Sequence, residues 1–280
     1  MKVLLTNDDG IEATGLDAAR RALLEVPDVE LAVIAPDSNR SATARSITTR
    51  HPLTVKEHDF GDGTTGYATD GTPVDCVRFA ALGLLAWEPE LIVSGINHGA
   101  NLGDDITYSG TVAAALEGIV LGMPAIAVSQ LLPRGELDFR GGDYWRKEHF
   151  TQAAAFVASL VDRVEDLPMP ERTLLNVNCP IAPARGVSSC RLGRRIYRDR
   201  LELHEESDGQ RRYRIYGEDP SYHQEEGTDF AAVAAGSIAV TPLHFDLTAT
   251  EGLEALAGFA LGDLLAPIER EVETTGPQGG

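Results

Sequence analysis

Two adjacent carboxylates at the start of the chain are the first residues whose types and spacing could do chemistry. The stretch Lys2-Val3-Leu4-Leu5-Thr6 runs directly into Asn7-Asp8-Asp9-Gly10. A short apolar run without Gly or Pro has the pattern of a strand buried on both faces, so Asp8 and Asp9 fall just past its carboxyl end. Two like charges held together repel, and a hard divalent cation relieves the repulsion. The plain alternative is a turn, because Asn, Asp and Gly tolerate positive φ and bond their own backbone. A second chemical stretch runs from Ser94 to Thr111 and reads Ser-Gly-Ile-Asn-His-Gly-Ala-Asn-Leu-Gly-Asp-Asp-Ile-Thr-Tyr-Ser-Gly-Thr. Its glycines let backbone N–H groups approach a ligand, and Ser109-Gly110-Thr111 opens a helix whose N-terminus is an anion site. It is a phosphate cradle without a Walker lysine; taken alone, such a loop is equally a tight connection.

The elements around these stretches must bring them together. Residues 1 to about 130 alternate strand and helix, the signature of an α/β fold with a mostly parallel sheet. The pattern gives a helix over Gly15–Leu24, a strand over Glu30–Ala35, short strands over His51–Val55 and Gly66–Thr69, and a helix after Thr72. Thr72 is its cap, with Pro73 at the first position and Asp75 in the first turn. A strand at Glu90–Val93, a helix at Thr111–Leu121 and a strand at Pro124–Ser129 follow. Asn7–Gly10, the polar loop Asp37–Thr48 and Ser94–Gly110 all come after strands. In a parallel sheet they therefore meet at one edge, although about ninety residues separate the first from the last.

The second half is less regular. Trp145–Val164 has a helical pattern, Thr173–Val177 and Ser237–Thr241 have strand patterns, and Glu251–Ala266 is helical again. Between them, residues 186–227 carry many charges of both signs and suggest a hairpin arm pairing Arg191–Tyr197 with Arg211–Tyr216. The division expected is a core over 1–185, the arm over 186–227, a strand and helix over 228–273 that complete the core or exchange between subunits, and a disordered tail over 274–280.

Composition narrows the partners. A net charge of -19 repels phosphate backbones and argues against non-specific nucleic-acid binding. Cys76, Cys179 and Cys190 are scattered and odd in number, with neither metal-site spacing nor a disulfide framework. That pattern suits a reducing cytoplasm. No stretch resembles a signal peptide or reaches the roughly 18 apolar residues of a membrane helix, so a soluble protein without membrane attachment is expected.

Several of these segments together resemble the SurE survival-protein family. They are Thr6–Ile11, Ala35-Pro36-Asp37 with Arg40-Ser41, Gly71-Thr72-Pro73 with Asp75-Cys76-Val77, and Ser94–Asn97 with Gly99, Asn101 and Gly103. Tyr108–Val112, Leu175–Asn178 with Pro180, and Thr241-Pro242-Leu243 extend the match over nearly the whole chain. The resemblance implies a Rossmann-like, mostly parallel sheet flanked by helices, with a hairpin arm and terminal helix used in oligomerisation. It implies a metal-dependent phosphomonoesterase acting on small-molecule nucleoside 5′- and 3′-monophosphates, and on short polyphosphate. By the same resemblance one Mg²⁺ or Mn²⁺ per subunit is held by Asp8, Asp9, Ser41 and Asn97, an oxygen set that suits a hard ion. Asp8 and Asp9 are expected to be the catalytic pair as well, either of which could orient the attacking water. The resemblance further implies that Asn101, Ser109, Gly110 and Thr111 bind the phosphate, and that the protein is a homodimer or homotetramer.

Other residues have plainer readings. His98, next to Asn97, reads first as an exposed loop histidine. Asp104 and Asp105 suggest a cap or turn, Cys76 a small buried hydrophobe, and Arg40 and Arg45 either substrate contacts or solvated loop residues. His51 and His244 suggest core or surface roles. The competing function is a non-catalytic magnesium-binding receiver module, which would need an acceptor Asp after a middle strand and a Lys late in the sheet. Lys2, Lys56 and Lys147 are the only lysines, and none follows a late strand. A nicotinamide dehydrogenase lacks its Gly-x-Gly-x-x-Gly here.

Overall fold

A switch in strand order beside the first strand positions everything that follows. The computed structural model describes residues 1–131, 145–181, 183–215 and 221–264. Its first half runs β1 (Lys2–Thr6), α1 (Thr14–Leu24), β2 (Glu30–Pro36), β3 (Val55–Asp59), β4 (Thr65–Thr69), α2 (Pro73–Ala81), β5 (Leu91–His98), α3 (Gly110–Val120) and β6 (Ala125–Gln130). Then come α4 (Lys147–Asp162), β7 (Thr173–Cys179), β8 (Gly186–Ser189), β9 (Arg195–Ile196), β10 (Glu202–Ser207), β11 (Gln210–Arg214), β12 (Ser221–Tyr222), α5 (Asp229–Ala234), β13 (Ser237–His244) and α6 (Thr250–Ala257).

The main sheet has the order β3-β4-β2-β1-β5-β6-β7-β13-β8. The strands from β4 through β7 are parallel; β3 and β13 join their neighbours antiparallel, and β8 lies parallel to β13. From β1 the chain winds outward through β2 on one side and through β5 on the other. The crevice between the carboxyl ends of β1 and β5 is therefore the switch point at which open α/β sheets receive ligands.

Helices cover both faces. One core packs Leu16, Ala19 and Leu23 of α1 with Phe150, Ala153 and Val157 of α4 against Val3, Leu5 and Val93. The other packs Cys76, Val77 and Ala80 of α2 with Val112, Ala115 and Ile119 of α3 against Leu4, Ile92 and Ala127. Alternate residues of β1 thus go to opposite cores, as a strand buried on both faces requires. α2 begins with the full capping box, Thr72 and Asp75 each bonding the other's backbone amide.

Four expectations need correction. Residues 51–54 are irregular, and the strand begins at Val55 as a polar edge. β5 continues through Asn97 to His98, beyond the Glu90–Val93 expected. Its register against β6 slips between Ser94 and Asn97, where one extra residue makes a bulge. The charged arm pairs differently: β10 pairs β11 around a turn at Asp208-Gly209, while β9 pairs β12. The helix expected over Glu251–Ala266 ends at Ala257, capped by Gly258, and a separate 3-10 turn follows at Leu261–Leu264; Tyr216, residues 265–266 and the tail 274–280 lie outside the described residues. Residues 246–264, which carry α6, belong to a unit separate from residues 1–245.

Candidate active site

Asn7 starts the site by closing its own turn. Its Nδ2 donates to the Gly10 carbonyl at 2.9 Å and its Oδ1 accepts from the Gly10 amide at 3.2 Å. Gly10 has φ +106°, open to glycine, and a Cβ there would stand 3.2 Å from the Ser38 carbonyl carbon. This turn projects Asp8 and Asp9 into the β1/β5 crevice. Both side chains are nearly dry: Asp8 is 3% exposed and the Asp9 side chain 5%.

The start of α3 meets Asp8 head on. The Thr111 amide donates to Asp8 Oδ2 at 3.1 Å and the Thr111 hydroxyl to Oδ1 at 2.6 Å. Only glycine fits next to this carboxylate, since a Cβ on Gly110 would lie 2.7 Å from Asp8 Cβ and 2.8 Å from Oδ2. Ser109 is the N-cap and accepts from the Val112 amide at 3.1 Å, as expected for a helix opening at Ser-Gly-Thr. The partial positive charge of a helix N-terminus is thus directed at an aspartate.

Asp9 is held from β5 and from the loop after β2. Its Oδ2 accepts from the His98 amide at 2.9 Å, and its Oδ1 from Asn39 Nδ2 at 3.4 Å. The bulge in β5 places this amide, and Gly95 makes the bulge possible: it has φ +130°, and a Cβ would sit 2.2 Å from the Val128 carbonyl oxygen. Asn97, within the same strand, donates its Nδ2 to the Gly99 carbonyl at 2.8 Å, which leaves Oδ1 as the atom available to a cation. Ser41 is exposed, on the loop after β2, and follows Arg40, whose amide donates to the Asp8 carbonyl at 2.6 Å.

Burial drives the Asp8 carboxyl up to about 6, and Asp9 beside it adds to the rise against the opposing Thr111 hydrogen bonds. Burial also drives Asp9 up to about 6. Among the described residues neither carboxylate pairs with a lysine or arginine, and the nearest basic group, His98 Nδ1, stands 4.0 Å from Asp9 Oδ1. Burial lowers the His98 pKa to about 4, so the ring is neutral at pH 7. Two desolvated anions held only by neutral donors are suited to a hard cation. Among the described residues no group of three or more His, Cys, Asp or Glu is arranged to hold a metal ion by itself. Carboxylates and neutral oxygens are donors of the kind that hard cations take, whereas zinc favours thiolate and imidazole.

Asn101 lies deeper. Its amide donates to Asn178 Oδ1 at 2.8 Å, its Nδ2 to Ser129 Oγ at 2.7 Å, and its carbonyl accepts from Asn176 and Asn178, both at 2.9 Å. Among the described residues Asn101 Nδ2 makes this one hydrogen bond, and its second hydrogen is free. Thr111 differs from the other expected phosphate contacts, because both of its donors go to Asp8.

The remaining candidates are engaged elsewhere. His98 is not an exposed loop residue: its ring packs 4.9 Å from Trp145 and 5.0 Å from Phe150, and its Nε2 accepts from the Gly15 amide at 3.2 Å. Asp104 and Asp105 anchor the segment after β8, accepting from the Arg195 amide and from the Arg195 guanidinium and Tyr197 hydroxyl. Arg40 binds Asp37 and the Asp70 carbonyl, and Arg45 binds Glu117. Cys76 is fully buried, as expected. Asn39 bonds Asp9, and Ser129, Asn176 and Asn178 bond Asn101; the sequence alone assigns none of them a role in the site, and Asn176 and Asn178 stand there only within the segment Leu175–Asn178 of the family resemblance.

Residues 3–199 match the family model described as survival protein SurE. The 5′-nucleotidase SurE of Rubrobacter xylanophilus is 52% identical over 270 residues, covering 95% of this chain and 99% of the relative. That of Chloroflexus aggregans is 46% identical, covering 91% and 98%. Among solved structures, the SurE protein from Aquifex aeolicus superposes with TM-score 0.74 at 37% identity, covering 91% of this chain and 98% of that one.

Proposed function

The chain belongs to the SurE survival-protein family, and from that premise we infer that it is a 5′-nucleotidase, a metal-dependent enzyme that hydrolyses nucleoside 5′-monophosphates to nucleoside and phosphate. The observation that carries the reading at the level of residues is the buried Asp8–Asp9 pair facing the N-terminus of α3 at the sheet's switch point. Asp8, Asp9, Ser41 and Asn97 would hold one Mg²⁺ or Mn²⁺ per subunit. When bound, such an ion supplies Lewis-acid charge at a phosphoryl oxygen.

The chain's own groups do the rest. The Gly110 amide, the Ser109 hydroxyl and the free Nδ2 hydrogen of Asn101 receive the phosphate oxygens, and the dipole of α3 favours their charge. Thr111 acts one step back by fixing both oxygens of Asp8. Asp9, held through the His98 amide, is placed to accept a hydrogen bond from the attacking water and orient it in line with the leaving oxygen. The dry walls strengthen each of these interactions.

Nucleoside 3′-monophosphates and short polyphosphate present a similar terminal phosphoryl group and belong to the same reading. So does a homodimer or homotetramer: every residue of β10 and β11 is exposed, and a bare two-stranded ribbon gains stability from a second copy. Three buried free cysteines suit the cytoplasm, and no helix among the described residues is long and apolar enough to cross a membrane. The test is phosphate release from 5′- and 3′-nucleotides, ribose 5-phosphate and tripolyphosphate, with Mn²⁺ and with EDTA. Strictly metal-dependent release, led by the 5′-nucleotides, is expected; equal release in EDTA would end the reading.

A further inference from the structure

The loop that carries Ser41 is fastened to α3 at both ends of the helix. Ala44 donates its amide to the carbonyl of Tyr108, the residue before the N-cap, at 3.1 Å. Two helical turns further on, Arg45 Nη2 meets Glu117 Oε2 at 2.7 Å, and the Glu117 side chain is 1% exposed. Glu117 also holds Arg78 of α2 at 2.7 Å, and the Arg45 guanidinium sits 4.6 Å above the Phe245 ring. The loop's far end is tied to the cap of α2: the Thr48 amide and hydroxyl donate to Asp75, and the Thr72 hydroxyl donates to the Ser46 carbonyl.

Within this span Ala42 and Ala44 adopt φ +58° and +51°, a left-handed backbone that side-chain-bearing residues hold only when surrounding contacts impose it. A buried carboxylate is costly unless paired, so Glu117 draws Arg45 onto the helix strongly. The same helix fixes Asp8 through Thr111, six residues before Glu117.

We propose that the Arg45–Glu117 pair is a positioning latch for the cation site. By clamping the Ser41 loop onto the helix that orients Asp8, it holds the serine hydroxyl in register with the carboxylates. Arg45 touches neither substrate nor ion; it acts through the loop. The inference rests on the assignment of Ser41 as a cation ligand in the proposed function.

The test is calorimetric titration of Mn²⁺ into chelator-stripped full-length protein, without substrate. Arg45→Ala should weaken Mn²⁺ binding by about tenfold, as for other residues that orient metal ligands. The double variant Ser41→Ala/Arg45→Ala should bind no more weakly than Ser41→Ala alone, because the latch works only through that serine. Arg78→Ala removes the other guanidinium from Glu117 without touching the loop, and should bind Mn²⁺ as the wild type does. Thermal unfolding of each variant checks that it folds. Wild-type affinity in Arg45→Ala, or losses that add in the double variant, overturn the latch while the cation site stands. A wild-type protein that takes up no Mn²⁺ overturns the site and the latch together.

Discussion

Thr111 binds both oxygens of Asp8, its hydroxyl donating to Oδ1 at 2.6 Å and its amide to Oδ2 at 3.1 Å. With the Asp8 carboxyl raised only to about 6, the group is largely ionised at pH 7.5 and these are charge-assisted bonds. Thr111→Val keeps shape and amide but deletes the hydroxyl. A hydrogen bond to a charged group contributes about 1.5–3 kcal/mol, so urea unfolding in EDTA at pH 7.5 should show a loss of that order. Thr111→Ser should keep most of the stability. Equal midpoints for the valine and serine variants would show the hydroxyl to be idle.

The aspartate pair should make the metal-free fold less stable as pH rises. Burial lifts both folded-state carboxyls from 3.8 to about 6, so between these values the native chain holds protons that the unfolded chain has released. Stability is then fully present below about pH 4 and lost as pH rises through 6, on the order of 3 kcal/mol per carboxylate at 1.36 kcal/mol per unit. Asp9→Asn, neutral throughout, should match the wild type near pH 4 and exceed its stability by a few kcal/mol at pH 7.5 in EDTA. Saturating Mn²⁺ should reverse that order, because ion binding stabilises only a chain with both carboxylates. A wild type that outlasts Asp9→Asn at pH 7.5 without metal would contradict the burial argument.

Gly110 is required by close approach. A methyl there must push against Asp8 Cβ at 2.7 Å and Oδ2 at 2.8 Å, so either the carboxylate or the start of α3 has to move. Gly110→Ala should therefore cost about 1–3 kcal/mol by overpacking and sharply reduce turnover. Gly122→Ala is the comparison: its φ of +88° strains the alanine, yet nothing lies within 4 Å, so stability should fall while turnover is kept. Similar turnover losses in both would point to general destabilisation rather than displacement of Asp8.

The parts of the molecule legible in the sequence are those written locally. β1 shows as an apolar run because both its faces are buried, and α2 shows through Thr72, Pro73 and Asp75, which make its capping box within four residues. The strand pattern of β5 stops at Val93 in the sequence because the bulge at Gly95 breaks it where the site needs it. The arm's pairing was illegible for a different reason: β10 and β11 have no buried face, so the turn at Asp208-Gly209 rather than hydrophobic alternation fixes their register. Within the site, the Asp8–Asp9 pair and the Ser109-Gly110-Thr111 helix start were visible as chemistry. The partners that hold them were not, since Asp8 and Thr111 lie 103 residues apart and Asn101 and Asn178 lie 77 apart. Ser41 and Asn97 came from family resemblance alone.

The account depends on Asp8 and Asp9 sharing a cation that phosphomonoester hydrolysis requires. The direct measurement is phosphate release from a nucleoside 5′-monophosphate by wild-type and Asp9→Asn protein, after exhaustive chelation and again after Mn²⁺ is restored. The expected result is a chelated wild type without activity that recovers fully with Mn²⁺, and an Asp9→Asn variant that stays folded and inactive in both conditions. Turnover that survives chelation, or an Asp9→Asn variant that Mn²⁺ restores to the wild-type rate, would contradict it.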